Sequence, residues 1–141
     1  MATTRQAHTV WEGNLIEGKG VVTFDSSGIG DYDVSWPSRA EAPNGKTSPE
    51  ELIAAAHSSC FSMALSNGLA TAGTPPTRLT TTADVTFQPG TGITGIHLTV
   101  QGEVPGLDEA GFVKAAEDAK ANCPVSQALT GTTITLSAAL A

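Results

Sequence analysis

Two cysteines, Cys60 and Cys123, are the residues of this sequence best suited to covalent chemistry. A thiolate is a nucleophile and a metal ligand, and two thiols can be joined in a disulfide. Cys60 lies in a long apolar segment, within a cluster of polar residues that consists of His57, Ser58, Ser59 and Ser62. Free cysteine is often an inert core residue, which is the alternative here. Buried polar groups need hydrogen-bond partners, however, so this cluster favours a reactive Cys60.

Cys123 precedes Pro124, a residue that suits the first position of a helix and would make Cys123 the N-cap. The free backbone amides and the dipole at a helix start favour a thiolate. The alternative is a turn residue without a chemical role. Its position makes Cys123 the second candidate for a reactive thiol.

Arg39 and Glu50 are candidate charged partners for these thiols. Arg39 lies in the polar segment 38–48, which is predicted to be a loop, and Glu50 follows Pro49 at the predicted start of a helix. Each also fits an ordinary surface role, because a first-turn carboxylate complements the helix dipole. Ten positions separate Glu50 from Cys60, which is about 15 Å along a straight helix. A site containing both therefore needs a bridging arginine or a second chain.

The elements that must position these residues follow from the hydrophobic periodicity. Strands are predicted over 8–11, 19–24, 31–36, 80–88, 93–104 and 132–140. Helices are predicted from Ser48 as N-cap through 69 and over 108–121, with a short helical pattern beginning at Pro124. The order β-β-β-α-β-β-α-β predicts an α+β fold with the long helix at its centre. We expect one domain over residues 1–141.

The long helix is apolar on nearly every side over 52–69 and carries almost no charge. A helix that is hydrophobic all round is a buried helix. One small sheet can cover only one of its sides, and the other would stay exposed in a monomer. A homodimer that buries this second side is therefore expected.

The composition restricts the partners and the compartment. Fourteen acidic and seven basic side chains leave a net charge of -7 in a chain of 141 residues. This argues against nucleic acid or a membrane surface as a partner, because both require a basic face. No apolar run approaches the roughly 20 residues that span a bilayer, and residues 1–10 lack the apolar core of a secretory signal. A cytoplasmic location is expected, where thiols stay reduced and a permanent disulfide is disfavoured.

Two segments carry a family resemblance: TSPEELIAAAHSSCFSMAL over 47–65 and NCPVSQAL over 122–129. They closely resemble the osmotically inducible protein C (OsmC) and organic hydroperoxide resistance superfamily, in its OsmC branch. Further similar stretches are 6–13, 81–85 and 104–108, so the resemblance covers nearly the whole chain. It implies an OsmC-like fold and a thiol peroxidase that acts as an intertwined homodimer without metal or haem.

The resemblance also implies roles for four residues. Cys60 resembles the peroxidatic cysteine, and Cys123 resembles the resolving cysteine. Glu50 resembles the carboxylate that holds an active-site arginine. Arg39 resembles that arginine by its position in the loop before the Pro-Glu-Glu motif. In the organic hydroperoxide branch that arginine comes from the early hairpin, where this sequence has EGKG over 17–20. A Cys60 thiolate held by Arg39 would reduce an organic hydroperoxide, or hydrogen peroxide, and become a sulfenic acid. Cys123 would then form a disulfide that an external dithiol, such as a lipoyl protein, reduces. Each site is expected to mix residues of both chains.

Two other functions fit the residues. His57 lies three positions before Cys60 on the same helical face, which fits a Cys-His thiol hydrolase or transferase. A zinc site is the second alternative, although no close-spaced ligand pair such as C-x-x-C occurs. Its four candidate ligands are Cys60, Cys123, His57 and His97.

Overall fold

The computed structural model describes all 141 residues, and its packing divides the chain into two compact units, Met1–Leu52 and Ile53–Ala141. The α+β class and the predicted order of strands and long helices are confirmed, the predicted short helix begins at Pro124, and one further short helix is added at Trp36–Ala40. The single domain expected over 1–141 stays a prediction. No helix combines the length and the hydropathy that crossing a membrane requires.

The first unit contains a three-stranded antiparallel sheet in the order β1-β2-β3. Its strands are β1 (His8–Glu12), β2 (Lys19–Thr23) and β3 (Asp31–Val34). The sheet is poorly covered in a single chain, because large apolar side chains remain exposed on its strands and connections. These are Val10, Trp11, Leu15, Ile16, Val21, Ile29 and Tyr32.

A short helix, α1 (Trp36–Ala40), follows β3 and corrects two predictions. Trp36 was expected to end a strand and Arg39 to lie in a loop, but both belong to α1. The cause is a capping box, in which the Ser38 amide donates to the Ser35 side chain and the Ser35 amide donates to the Ser38 hydroxyl. Pro37 in the first turn of α1 supports the same start.

The second unit contains the sheet order β4-β5-β6 and most of the long helix α2 (Pro49–Thr71), whose first four residues lie in the first unit. The strands are β4 (Arg78–Gln88), β5 (Gly92–Glu103) and β6 (Ile134–Leu140). β4 and β5 form an antiparallel pair, whereas β6 runs parallel to β5. A parallel partner requires a long crossover, which here consists of α3 (Glu109–Asn122) and α4 (Pro124–Ala128).

One face of α2 forms part of the core of the second unit. His57, Phe61, Leu65 and Leu69, which recur every four residues, are fully or almost fully buried. The opposite face is open in a single chain, and Met63 is 72% exposed. This one-sided burial agrees with the expectation that one sheet covers only one side of the helix. The rest of the core is supplied by residues of β5, α3 and the connections that follow each of them, among them Leu98, Val100, Val104, Phe112, Ala116, Ala119 and Cys123.

Candidate functional site

The structure brings the two cysteines of the chain together. Cys60 lies on α2, and Cys123 lies at the junction of α3 and α4. Both are free thiols, and a hydrogen bond joins their side chains. Cys123 is fully buried, whereas Cys60 is half-buried. The two thiols therefore differ in access to solvent although they are in direct contact.

The Cys123-Pro124 pair explains how the thiol reaches this position. The residue before a proline is disfavoured in the α conformation, and Cys123 has φ -56° and ψ 125°. Its amide still donates to the Ala119 carbonyl of α3 at 2.8 Å, and its carbonyl accepts from the Gln127 amide of α4 at 3.0 Å. Cys123 thus ends one helix and caps the next, as its sequence position predicts. Its side chain makes no capping hydrogen bond.

Burial raises the pKa of the Cys60 thiol above its ordinary value, and the hydrogen bond with Cys123 raises it further. The backbone amide of Val125, in the first turn of α4, hydrogen-bonds to Cys60 and acts in the opposite direction on its pKa. The sequence predicted that the amides at this helix start would act on Cys123. Instead one of them reaches Cys60. In a single chain the pKa of Cys60 is therefore raised, because burial outweighs this amide.

Arg39 and Glu50 meet within the first unit. The Arg39 Nε donates to Glu50 Oε1 at 2.7 Å and to Oε2 at 3.2 Å, and only 7% of Glu50 is exposed. A nearly buried carboxylate needs such a partner to stay charged at a tolerable cost. One nitrogen of Arg39, Nε, reaches both carboxylate oxygens of Glu50. Ser48 places Glu50 by capping α2 through the Glu51 amide, as predicted.

An apolar cavity of about 260 Å³ lies next to this ion pair in the first unit. Trp11, Trp36 and Leu52 contribute apolar walls, and Arg39 supplies the cation. A cavity with apolar walls and one fixed cation suits a small ligand that has a polar head and an organic body.

The four residues singled out in the sequence thus form two pairs, each inside one compact unit. Cys60 contacts Cys123 in Ile53–Ala141, and Arg39 contacts Glu50 in Met1–Leu52. The roles of the four residues in one reaction site remain a proposal.

The Cys-His alternative requires His57 to contact Cys60, but His57 hydrogen-bonds to Ser126 instead. Its ring is fully buried, and its Nε2 lies 2.7 Å from the Ser126 hydroxyl. Its Nδ1 has no hydrogen-bond partner, so the imidazole does not hold the Cys60 thiol. Burial lowers the pKa of His57 and favours the neutral ring. These contacts do not favour the thiol hydrolase or transferase.

Val125 and Ser126 are two further residues of the site that were not predicted from the sequence. Both follow Cys123 within one helical turn, so the predicted short helix already contained the signal. Ser126 is a buried polar residue at the third position of α4, where a hydroxyl in an apolar setting needs a partner.

The four-ligand zinc alternative is wrong. His97 lies on β5, where its Nδ1 is 2.6 Å from the Thr135 hydroxyl and its Nε2 is 3.0 Å from the Ser137 hydroxyl. Both ring nitrogens are therefore occupied within the sheet. No group of three or more His, Cys, Asp or Glu side chains is arranged to hold a metal ion.

The family match, the related sequences and the similar structures of this chain all indicate the same kind of protein. Residues 42–137 match the family described as OsmC-like protein. Peroxiredoxin OsmC of Escherichia coli (strain K12) is 46% identical over 127 residues, which are 88% of this chain and 87% of that protein, and the protein of that name from Shigella flexneri matches equally. The organic hydroperoxide resistance protein OhrB of Bacillus subtilis superposes with a TM-score of 0.72 at 25% identity, over 96% of this chain and 98% of that one. An OsmC structure from Legionella pneumophila has a TM-score of 0.77 at 24% identity, over 99% of this chain and 98% of that one, and shows a shared fold.

Proposed function

This chain belongs to the family of OsmC-like proteins, and we propose the cycle by which its two thiols act. It is a thiol peroxidase for organic hydroperoxides, as the names of Peroxiredoxin OsmC and OhrB indicate. A peroxide and a thiol reductant are accordingly its reaction partners. The observation that carries the cycle is the hydrogen bond between the Cys60 and Cys123 thiols.

Cys60 is the peroxidatic cysteine in this cycle. Of the two thiols it is the one with partial access to solvent, because Cys123 is fully buried. The Cys60 thiolate attacks the terminal oxygen of the hydroperoxide, so that an S–O bond forms and the O–O bond breaks. The leaving alkoxide takes up a proton and departs as the alcohol. Cys60 is left as a sulfenic acid.

Cys123 is the resolving cysteine. Its thiol already interacts with Cys60, so the two sulfurs that would form the disulfide are neighbours before oxidation. The Cys123 sulfur attacks the sulfenic sulfur, the S–S bond forms, the S–O bond breaks and water is released. An external dithiol, for example a lipoyl protein, then restores both thiols by exchange. A cytoplasmic location would keep such dithiols available.

The Arg39–Glu50 pair supplies the positive charge that Cys60 needs. A guanidinium near Cys60 would lower the thiol pKa and so offset the effect of burial, and Glu50 would hold that guanidinium in place. Glu50 and Cys60 are ten residues apart on α2, about 15 Å along the helix. We therefore assign the arginine at each Cys60 to the partner protomer of a homodimer.

Two exposed apolar surfaces support this homodimer. One is the open face of α2 around Met63, and the other is the set of apolar side chains of the β1-β2-β3 sheet, such as Trp11 and Tyr32. Surfaces of this kind mark association sites in soluble proteins. Pairing two identical chains would bury both and would bring Arg39 of one chain to Cys60 of the other. The apolar cavity beside Arg39 supports an organic substrate.

The test is to treat reduced protein with an organic hydroperoxide, such as cumene hydroperoxide, and to map the products by mass spectrometry. A disulfide between Cys60 and Cys123 is expected. Cys123→Ser should leave a sulfenic acid on Cys60 that a dimedone-type probe captures. The matched variant Cys60→Ser should leave the buried Cys123 unmodified. Thiols that remain unchanged in the wild type would refute the cycle.

A further inference from the structure

Helix α4, which Cys123 caps, is a single turn of five residues. A helix this short has no stability of its own, so its position depends on the contacts it makes with the rest of the fold. Besides the hydrogen bond from the Val125 amide to Cys60, α4 makes a side-chain contact through the Ser126 hydroxyl, which lies 2.7 Å from His57 Nε2. This bond connects α4 directly to α2, the helix of Cys60.

Two pairs of side chains join α2 to the segment that begins at Cys123: Cys60 with Cys123, and His57 with Ser126. His57 precedes Cys60 by three residues on α2, and Ser126 follows Cys123 by three residues at the start of α4. Residues three apart lie on one helical face. The thiol pair and the imidazole–hydroxyl pair therefore lie one turn apart along the same contact between α2 and α4. A shift of α4 along α2 would disturb both contacts together.

The His57–Ser126 contact is made in an apolar environment. His57 is fully buried, and only 4% of Ser126 is exposed. Polar groups in such surroundings are costly unless they are paired, which makes the bond hard to exchange for water. His57 Nδ1 has no partner, so the contact between Nε2 and the Ser126 hydroxyl is the one hydrogen bond of the ring.

We propose that His57 is a positioning residue for disulfide formation, which holds α4 through Ser126 so that Cys123 stays against Cys60 after Cys60 has been oxidised. The proposal rests on the proposed peroxidase cycle, because it concerns the fate of the sulfenic acid. It assigns His57 no contact with the peroxide.

The sulfenic acid of Cys60 has two fates. It condenses with Cys123, with loss of water, or it attacks a second hydroperoxide, which breaks the O–O bond, releases the alcohol and leaves a sulfinic acid. The first fate is intramolecular and depends on alignment, since a displacement of about 1 Å can cost about a hundredfold in rate. The second depends on the peroxide concentration. The ratio of disulfide to sulfinic acid therefore reports the position of Cys123.

The variants separate the hydrogen bond from mere filling of the core. His57→Leu fills similar space without a hydrogen-bonding group, whereas the amide of His57→Gln can still hydrogen-bond to Ser126. Ser126→Ala removes the hydroxyl, and Ser126→Thr keeps it. Reduced proteins are exposed to increasing cumene hydroperoxide, and the disulfide and the Cys60 sulfinic acid are quantified by mass spectrometry. Circular dichroism and thermal unfolding identify folded variants.

His57→Leu and Ser126→Ala are expected to lower the disulfide-to-sulfinic ratio about tenfold or more, while His57→Gln and Ser126→Thr stay near the wild type. The double variant should be no worse than either single one, because both remove the same bond. If His57→Leu does not fold, Ser126→Ala with Ser126→Thr decides the question.

An unchanged ratio in folded His57→Leu or Ser126→Ala would overturn the role of the bond. A ratio that falls equally in His57→Gln and Ser126→Thr would overturn it as well, because packing alone would then be responsible. These results differ from a failure of the cycle itself, in which the wild type would form neither the disulfide nor the sulfenic acid.

Discussion

The backbone amide of Val125 hydrogen-bonds to the Cys60 thiol across a large separation in sequence. Val125 follows Cys123 by two residues, so a single short segment presents to Cys60 both a thiol and an amide. The amide favours the Cys60 thiolate and the neighbouring thiol opposes it. The same turn thus adjusts the nucleophile and provides the group that resolves it.

This opposition predicts the effect of removing Cys123. Cys123→Ala eliminates the hydrogen bond and the charge interaction that raise the pKa of Cys60, and it leaves the Val125 amide in place. The pKa of Cys60 should fall relative to the wild type, so that Cys60 is alkylated faster near neutral pH. Alkylation rates of the Cys60 peptide, followed by mass spectrometry over a range of pH, give the measurement. A pKa that is unchanged or higher would contradict the prediction.

The Arg39–Glu50 contact predicts a coupled effect on stability. Arg39→Ala leaves a nearly buried carboxylate without this cation, and the free energy of unfolding should fall by about 1–3 kcal/mol. Adding Glu50→Ala should cost less than the sum of the single changes, with a coupling of about 0.5–3 kcal/mol. Urea unfolding of the four proteins completes the cycle. Strictly additive losses would show that the pair does not contribute as a unit.

Mixed dimers test whether two chains share a site. Arg39→Ala and Cys60→Ser chains should each be inactive alone. After unfolding and refolding together in equal amounts, half of the dimers are mixed, and each has one site with both Cys60 and Arg39 if these come from different chains. About a quarter of the wild-type peroxidase activity should return. No recovery, despite mixed dimers detected by mass spectrometry, would place both residues of each site in one chain.

Met63 tests the homodimer itself. Met63→Lys puts a charge on the open face of α2, where the wild-type side chain is 72% exposed in a single chain. We expect weaker association in sedimentation velocity and a loss of activity at low protein concentration. Thr82→Lys, on an exposed position of β4, is the control that adds the same charge elsewhere. Equal dimerisation of both variants would show that this face of α2 is not the interface.

The buried His57 predicts a pH dependence of stability. Because burial lowers its pKa, the unfolded chain binds a proton below about pH 6.5 where the folded chain does not. The free energy of unfolding should therefore be unaffected by His57 above this pH. Below it, the free energy should fall as the pH decreases toward the folded-state pKa, by at most about 1.4 kcal/mol per pH unit. Urea unfolding across this range should show a smaller decline in His57→Gln. An equal decline in both proteins would assign the effect to other groups.

Much of the fold follows from local pattern. The alternation in β4 and β5 and the long apolar run of α2 are properties of single segments, so the local pattern was sufficient to predict them. Helix α1 was missed because a capping box creates it in a segment without apolar periodicity. The parallel pairing of β6 with β5 was likewise not predicted, because alternation records which face is buried and not which neighbour is paired.

For the site, the sequence by itself determined which reactive groups are present: a thiol within a long apolar helix and a thiol at the start of a short one. It also supplied the proline after Cys123, where one helix ends and the next begins, and the motifs that assign the family. Only the tertiary structure decided which groups meet. It placed the Val125 amide on Cys60 instead of Cys123, and it paired His57 with Ser126 instead of with a thiol. The physical reason is that spacing along a helix fixes a side chain's direction, whereas its partner comes from a distant segment that burial of the apolar core brings into contact.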